Sequence, residues 1–371
     1  MEKLDTESFI SGWRRQADHM AGFRQETGRP VMGLVLTDVP EELVYAAGAV
    51  PTTLLARDVS FQAADKHLQG FACSYSRSLV ERVEQGELDF LDGLIIPYAC
   101  DTTRCLDLIF KYMDRFGFYD CLRIPKRVNA RGMEKYFRAE LQRLSSALSS
   151  FTGVEVTDAR LQEAISSYNR VRGLLQRLRE GVREGRIPAS KYLSAVKSAM
   201  VLPPEQSAGP LESLAEESAL QSSEEKGRRV IVGGKMAEPP GLLDLLSGSG
   251  LFVVEDHLTV GGRWAASLVP EDGDPWDALI KRQSQRLPFS GIWDGRPSRA
   301  SHLVERAREL KADGVVYLVQ KFCEPSEIDY PGIRRELERE GLPVLELETD
   351  LGESSLENVR TRVDAFAEML Q

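Results

Sequence analysis

Histidine is scarce in this sequence: His19, His67, His257 and His302 are the only four in 371 residues, and no His-Glu-x-x-His pair occurs. A zinc hydrolase is therefore disfavoured, because its ligands need two histidines on one helical face. No apolar run approaches the ~20 residues that cross a bilayer, so no membrane association is expected. Basic charge is also short, with 47 Lys and Arg against 57 Asp and Glu, a formal net charge of −10. Non-specific nucleic-acid affinity depends on cations neutralising phosphates, so nucleic acid is not an expected partner. A phosphate-binding loop is missing too. Val230-Ile-Val-Gly-Gly-Lys235 lacks Gly-x-Gly-x-x-Gly, and Met236 stands where a P-loop needs Ser or Thr. ATP hydrolysis by this chain is not expected. The N-terminus, Met1-Glu-Lys-Leu-Asp5, carries acidic residues where a secretory signal has a basic region and an apolar stretch. The expected location is the cytoplasm, where the five cysteines stay reduced.

What is present reads as an ordinary globular chain, 42% hydrophobic and 28% charged, long enough for about two domains of ~100–200 residues. An amphipathic helical arm occupies residues 1–28. A first α/β domain follows at 29–132, with short apolar strands at 30–37, 50–55, 92–97 and 120–124 separated by helical stretches. The helix after Cys100 is expected to take Asp101 or Thr102 as its N-cap. Near-continuous apolar strands alternating with helices predict a parallel sheet covered on both faces. Residues 133–228 change character. In the stretch 158–181, Leu161, Ile165, Tyr168, Val171, Leu174, Leu175 and Leu178 recur at helical spacing, which predicts a helical subdomain. Its last part, 201–228, contains Pro203-Pro204, Pro210 and a Glu-rich stretch, and reads as a linker or surface loop. Alternation resumes in a second α/β domain at 229–371, with strands at 230–234, 251–254, 314–319 and 343–347. A helix is expected to start at Tyr330, and a final one at Ser354, with Glu357 completing a capping box.

The two halves correspond. Asp92-Gly-Leu-Ile-Ile-Pro-Tyr-Ala-Cys100 and Asp313-Gly-Val-Val-Tyr-Leu-Val-Gln-Lys-Phe-Cys323 each give Asp-Gly, a buried strand and a cysteine just past its carboxyl end. Ligands bind at the carboxyl ends of strands in open parallel sheets, so these two cysteines could meet across a cleft between domains. Cys73, in Phe71-Ala-Cys-Ser-Tyr-Ser-Arg77, lies at the start of a helix in the first half. Cysteine is also a small buried hydrophobe, so the pattern alone admits either a shared site or plain core packing. The separations along the chain match no local zinc or ferredoxin signature. Three thiolates with few histidines near would suit an iron–sulfur cluster better than zinc, and three protein ligands leave one iron open.

At these residues the chain resembles the family of 2-hydroxyacyl-CoA dehydratase and benzoyl-CoA reductase subunits. The resemblance is carried by Phe71–Arg77, by Leu88-Asp-Phe-Leu-Asp-Gly-Leu-Ile-Ile-Pro-Tyr-Ala-Cys-Asp-Thr-Thr-Arg104, by Ser167-Tyr-Asn-Arg-Val-Arg172 and by Val319-Gln-Lys-Phe-Cys-Glu-Pro-Ser-Glu-Ile-Asp-Tyr-Pro331. It implies two flavodoxin-like (Rossmann-like) parallel-sheet domains with a helical part, and a [4Fe–4S] cluster between the domains held by Cys73, Cys100 and Cys323. It further implies an acyl-CoA or aryl-CoA substrate, a homologous second subunit in a heterodimer, and a separate ATP-hydrolysing activator that supplies electrons.

Three functions are compatible with this resemblance. A dehydratase subunit would eliminate water from a 2-hydroxyacyl-CoA through a ketyl radical, using one low-potential electron. A benzoyl-CoA reductase subunit would reduce an aromatic acyl-CoA. A non-catalytic partner would carry the cluster for electron transfer only. Among the remaining residues, Cys105 and Cys121 read as packing. His257, after Glu255-Asp256, could face the cleft. Arg263, in Gly261-Gly-Arg-Trp264, could bind a CoA phosphate or pair with a surface carboxylate.

Overall fold

The computed structural model describes residues 4–57, 59–223, 227–286, 299–351 and 356–371. Among them eight strands form two four-stranded sheets. The first contains β1 (Val31–Val35), β2 (Val50–Leu54), β3 (Gly93–Pro97) and β4 (Phe118–Leu122), in the order β2-β1-β3-β4. The second contains β5 (Arg228–Gly234), β6 (Leu251–Leu258), β7 (Gly314–Gln320) and β8 (Val344–Thr349), in the order β6-β5-β7-β8. All pairings are parallel. Every residue of β1, β2, β3 and β7 is buried, the mark of strands covered on both faces. The chain is thus α/β with two parallel sheets in one topology, as expected. No described helix is long and apolar enough to cross a membrane.

The likeness between the halves extends to individual hydrogen bonds. The Asp92 carboxylate accepts from the Val31 N–H at 2.8 Å, and Asp313 accepts from the Arg229 N–H at 2.8 Å. Each aspartate thereby ties the start of its third strand to the start of the sheet's first. The glycine that follows is needed for space. A Cβ on Gly93 would stand 2.5 Å from Met32 Sδ, and one on Gly314 would stand 2.9 Å from Phe366 Cζ. Asp-Gly is therefore a sheet-closing device used twice.

Helices Met133–Thr152, Asp158–Arg183, Ala189–Val201 and Pro204–Leu220 fill the chain between the sheets. The last of these corrects the expected loop at 201–228. Pro204 occupies the first turn, where its missing N–H costs nothing. Pro210 lies inside the helix, at the cost of a backbone bond. Burial of Leu211 and Leu214, on a helix that packs against Asp158–Arg183, outweighs the local signal. Helix Glu324–Arg339 likewise begins before Tyr330, since Pro325 suits a first turn, and it carries Pro331 within. The expected cap Ser354 lies outside the described residues.

One buried charge cluster joins the three parts. Arg172, on the long central helix, bonds Glu42 at 2.5 Å and Glu41 at 3.1 Å, both on helix Glu41–Ala46 of the first half. Glu41 also accepts from the indole N–H of Trp264, just beyond β6. Burial would raise the pKa of Glu42, but Arg172 and Arg282 overrule it and hold the carboxyl below its usual value. Two arginines and two glutamates balance to zero charge. A few residues away, Asn169 clamps the Val269 backbone, donating at 2.7 Å and accepting at 2.9 Å. The Ser167–Arg172 segment therefore holds the architecture together.

Removing one member of a buried pair strands the rest, at a cost of ~3–5 kcal/mol, whereas exposed ion pairs contribute ~0–1 kcal/mol. Urea unfolding of Arg172→Ala should show a loss in the first range. Arg170→Ala, which breaks a solvent-exposed pair with Glu212, should lie in the second. Equal midpoints for the two variants would contradict the role given to Arg172.

Candidate functional site

Each of the three cysteines singled out above is the N-cap of a helix: Cys73 for Ser74–Glu84, Cys100 for Asp101–Met113 and Cys323 for Glu324–Arg339. The expected caps Asp101 and Thr102 are thus displaced one step by Cys100. A helix N-terminus presents unpaired N–H groups and partial positive charge, which favour a thiolate over a thiol. Cys100 and Cys323 follow β3 and β7, the third strand of each sheet. Cys73 arrives on the crossover from β2 to β3.

The three caps share a pattern that the strand-end correspondence did not reveal, Cys-x-x-Ser or Cys-x-x-Thr. Cys73 donates to the Ser76 hydroxyl at 3.4 Å, and Cys323 lies 3.2 Å from the Ser326 hydroxyl. Around Cys100 the bonding is reciprocal: its sulfur accepts from the Thr103 backbone, and the Thr103 hydroxyl accepts from the Cys100 N–H at 2.9 Å. A hydroxyl three residues on is a capping device; at Cys73 and Cys323 it contacts the sulfur, and at Cys100 it holds the backbone while the Thr103 N–H contacts the sulfur. Phe322, directly before Cys323, has φ +60, a left-handed conformation that a bulky residue adopts only under constraint. That turn leads the chain from β7 into the cap.

The second domain holds the first domain's cysteine in place. Ser74, next to Cys73, accepts from Gln320 Nε2 at 3.1 Å and from the Leu351 N–H at 3.2 Å, both buried. Burial pushes the Cys73 thiol up to about 11, and the neighbouring Cys323 and Cys100 add to the shift. Cys73 therefore lies within electrostatic reach of the other two sulfurs. Among the described residues no group of three or more His, Cys, Asp or Glu is arranged to hold a single metal ion.

A cavity of about 370 Å³ opens at this junction, lined by Tyr98, Cys100 and Lys126 from the first domain and by Glu324, Pro325 and Ile328 from the second. The Lys126 ammonium donates to the Ala99 carbonyl. Its pKa is lowered by burial, against the opposing charges of Asp38 and Cys100.

Arg263 lines a small pocket together with Thr37 of the first domain, whereas His257 is buried within the second domain. Asp256 accepts from the Gly262 N–H at 2.7 Å, and a Cβ on Gly261 would meet that carboxylate at 2.6 Å. This tight turn carries Arg263 to that pocket. Burial pushes Arg263 down to about 9, as does Arg286, with Asp38 opposing. Arg286 itself bonds the Thr37 carbonyl at 2.9 Å and the Asp38 carboxylate. His257 is buried, with Nε2 at 2.7 Å from Glu255. Glu255 also accepts from Arg183 and Arg306. A carboxylate can only accept, so His257 donates there as a neutral imidazole, its pKa pushed down to about 3 chiefly by burial. Cys105 is exposed rather than packed, and Cys121 is partly buried.

Comparison with known proteins finds relatives along nearly the whole chain. The family model for the 2-hydroxyglutaryl-CoA dehydratase D-component matches residues 36–370. The beta subunit of (R)-phenyllactyl-CoA dehydratase from Clostridium sporogenes is 28% identical over 93% of each chain. The beta subunit of lactoyl-CoA dehydratase from Anaerotignum propionicum is 29% identical, covering 95% of this chain and 94% of its own. A benzoyl-CoA reductase subunit from Thauera aromatica is 24% identical, covering 93% of this chain and 92% of its own.

Thiol labelling of the metal-free protein at neutral pH checks the geometry. Cys105, exposed, should alkylate first, and Cys73 should be the slowest of the three capping cysteines, being buried with its pKa at about 11. Labelling of Cys73 as fast as Cys105, read by peptide mass spectrometry, would mean that the junction is open.

Proposed function

The chain belongs to the 2-hydroxyglutaryl-CoA dehydratase D-component family, and on that premise we propose that it is the iron–sulfur subunit of a 2-hydroxyacyl-CoA dehydratase. The observation that carries the reading is that three cysteines each cap a helix with Cys-x-x-Ser/Thr spacing, two of them near enough to the buried Cys73 to raise its pKa, with Cys100 on the wall of an interdomain cavity. The donor set fits a [4Fe–4S] cluster. Three thiols at helix N-termini, mutually raising the pKa of Cys73, gain most from a multiply charged cationic centre. Cys73, Cys100 and Cys323 would hold it. When bound, such a cluster supplies one-electron chemistry, which lets a thioester lose a β-situated hydrogen and a 2-hydroxyl that acid–base chemistry alone removes poorly.

The chain's own residues do the rest. Ser76 and Ser326 bond the sulfurs of Cys73 and Cys323, Thr103 holds the Cys100 backbone, and Gln320 with Ser74 ties the two domains together. Lys126, at the cavity wall, presents a cationic hydrogen-bond donor to a thioester oxygen. The relatives' designations as beta subunits support a homologous second subunit as partner, and the absent P-loop motif fits a separate ATP-hydrolysing activator as electron source. Reduction of an aromatic acyl-CoA is the neighbouring chemistry, supported by the similarity to the benzoyl-CoA reductase chain of Thauera aromatica.

A relay role, with turnover on the partner subunit, is favoured by one observation. The two histidines of the second domain, His257 and His302, are pushed down to about 3 and about 4, mainly by burial, and their ring centroids stand 5.1 Å apart, with His257 against Glu255. Neither is poised for proton transfer near neutral pH.

Purified without oxygen, the full chain should carry about four irons and four acid-labile sulfides, and Cys323→Ala should lose most of both. A colourless protein with no iron would sink the proposal. A change in the cluster's EPR signal on adding 2-hydroxyacyl-CoA supports turnover at this subunit, whereas a silent spectrum with intact iron supports the relay.

A further inference from the structure

The caps at Cys73 and Cys323 differ from the cap at Cys100 in where the hydroxyl proton can go. The Thr103 hydroxyl is fully engaged by backbone. It donates its one proton to the Cys100 carbonyl at 2.9 Å and accepts from the N–H groups of Ala99 at 3.0 Å and Cys100 at 2.9 Å. At the other two caps the hydroxyl meets sulfur instead: Ser76 Oγ lies 3.4 Å from Cys73 Sγ, and Ser326 Oγ lies 3.2 Å from Cys323 Sγ. Of the three caps only Cys100 forms a capping box, so capping accounts for Thr103 but not for the two serines.

Both serines are buried, at 2% and 1% exposure, and among the described residues neither hydroxyl has another hydrogen-bond partner. A buried hydroxyl proton without an acceptor carries a desolvation penalty. A thiol can donate its own proton to the serine oxygen. A thiolate has none, so the hydroxyl becomes the donor and the bond is charge-assisted. The two sulfurs served in this way, those of Cys73 and Cys323, are the buried ones, while Cys100 is half-buried on the cavity wall.

From this geometry we propose that Ser76 and Ser326 set the reduction potential of the cluster that the cysteines would hold, by donating O–H hydrogen bonds to the thiolates of Cys73 and Cys323. The inference rests on the proposed function and deepens it. An added electron increases the negative charge shared by the sulfurs, and a donor aimed at a buried sulfur stabilises that state more than the oxidised one. The potential is thereby raised. One electron enters, no bond forms or breaks, and each hydroxyl keeps its proton. The two serines act through the sulfurs, as positioning residues that ease one-electron loading at the expense of reducing power.

The test is a potentiometric titration of the full chain, purified anaerobically, with titanium(III) citrate as reductant and EPR as readout. The double variant Ser76→Ala/Ser326→Ala should make one-electron reduction roughly tenfold less favourable, a drop of about 59 mV, while iron content stays unchanged. The variant Ser76→Thr/Ser326→Thr keeps both hydroxyls, with the residue type that the third cap already uses, and should stay at the parent potential. In D2O buffer, electron–nuclear double resonance of the reduced parent should show exchangeable deuterons coupled to the cluster spin that the alanine variant lacks. An unchanged potential in the alanine variant overturns the inference. An equal drop in both variants overturns it too, assigning the effect to packing, as does a parent spectrum without those deuterons. Each result is read on protein with its iron in place. A chain without iron would instead overturn the cluster assignment and this inference with it, so the two failures are distinguishable.

Discussion

A cluster of two arginines and two glutamates, out of reach of water, holds the sheets in the arrangement on which the cysteines depend. Arg172 comes from the central helix, Glu41 and Glu42 from the first half, and Trp264 from beyond β6 of the second. Ions so deeply buried are worth little as net stabilisation, because desolvation consumes most of the attraction. What they contribute is position. Any other packing of the halves would leave a charge unpaired in a low dielectric, and that penalty selects one relative placement. The Ser74 contacts with Gln320 and Leu351 then set the same placement at the site itself.

With the halves held, duplication becomes useful. Two sheets of one topology each end a third strand in a cysteine, and each strand begins with an aspartate that closes the sheet and a glycine that permits close packing. The symmetry stops at Cys73. The corresponding crossover of the second half, after β6, carries Gly261–Trp264 and delivers Arg263 to the pocket beside Thr37 instead. One half thus contributes two thiols, and the other contributes one thiol and a buried cation.

Much of this was legible in the residues. The apolar strands, the Asp-Gly repeat and the position of Cys100 and Cys323 at strand ends follow from patterns with simple physical causes. The Cys-x-x-Ser/Thr caps were equally present in the sequence, at 73–76, 100–103 and 323–326, and a search for hydroxyls three residues after each cysteine would have found them. Other features were hidden. The helix Pro204–Leu220 contradicts its own prolines because its buried face outweighs them. Arg263, in a polar glycine turn, looks exposed until the first domain packs beside it at Thr37. A basic pocket lined by Arg104, Arg123, Arg127 and Arg131 draws on residues from 98 to 136 whose charges are dispersed along the chain and gather only in the fold.

Residue type and local pattern were thus enough to define the class of fold, the strand-end placement of two thiols and the lack of histidine-pair and P-loop motifs. Three outcomes waited on the folded packing: Cys73 comes within electrostatic reach of Cys100 and Cys323, His257 becomes a neutral member of a charge network, and Lys126 comes to line one cavity with Cys100. Each of these depends on which surfaces lose contact with water together. Desolvation is a property of neighbours in space, and neighbours along the chain do not reveal it.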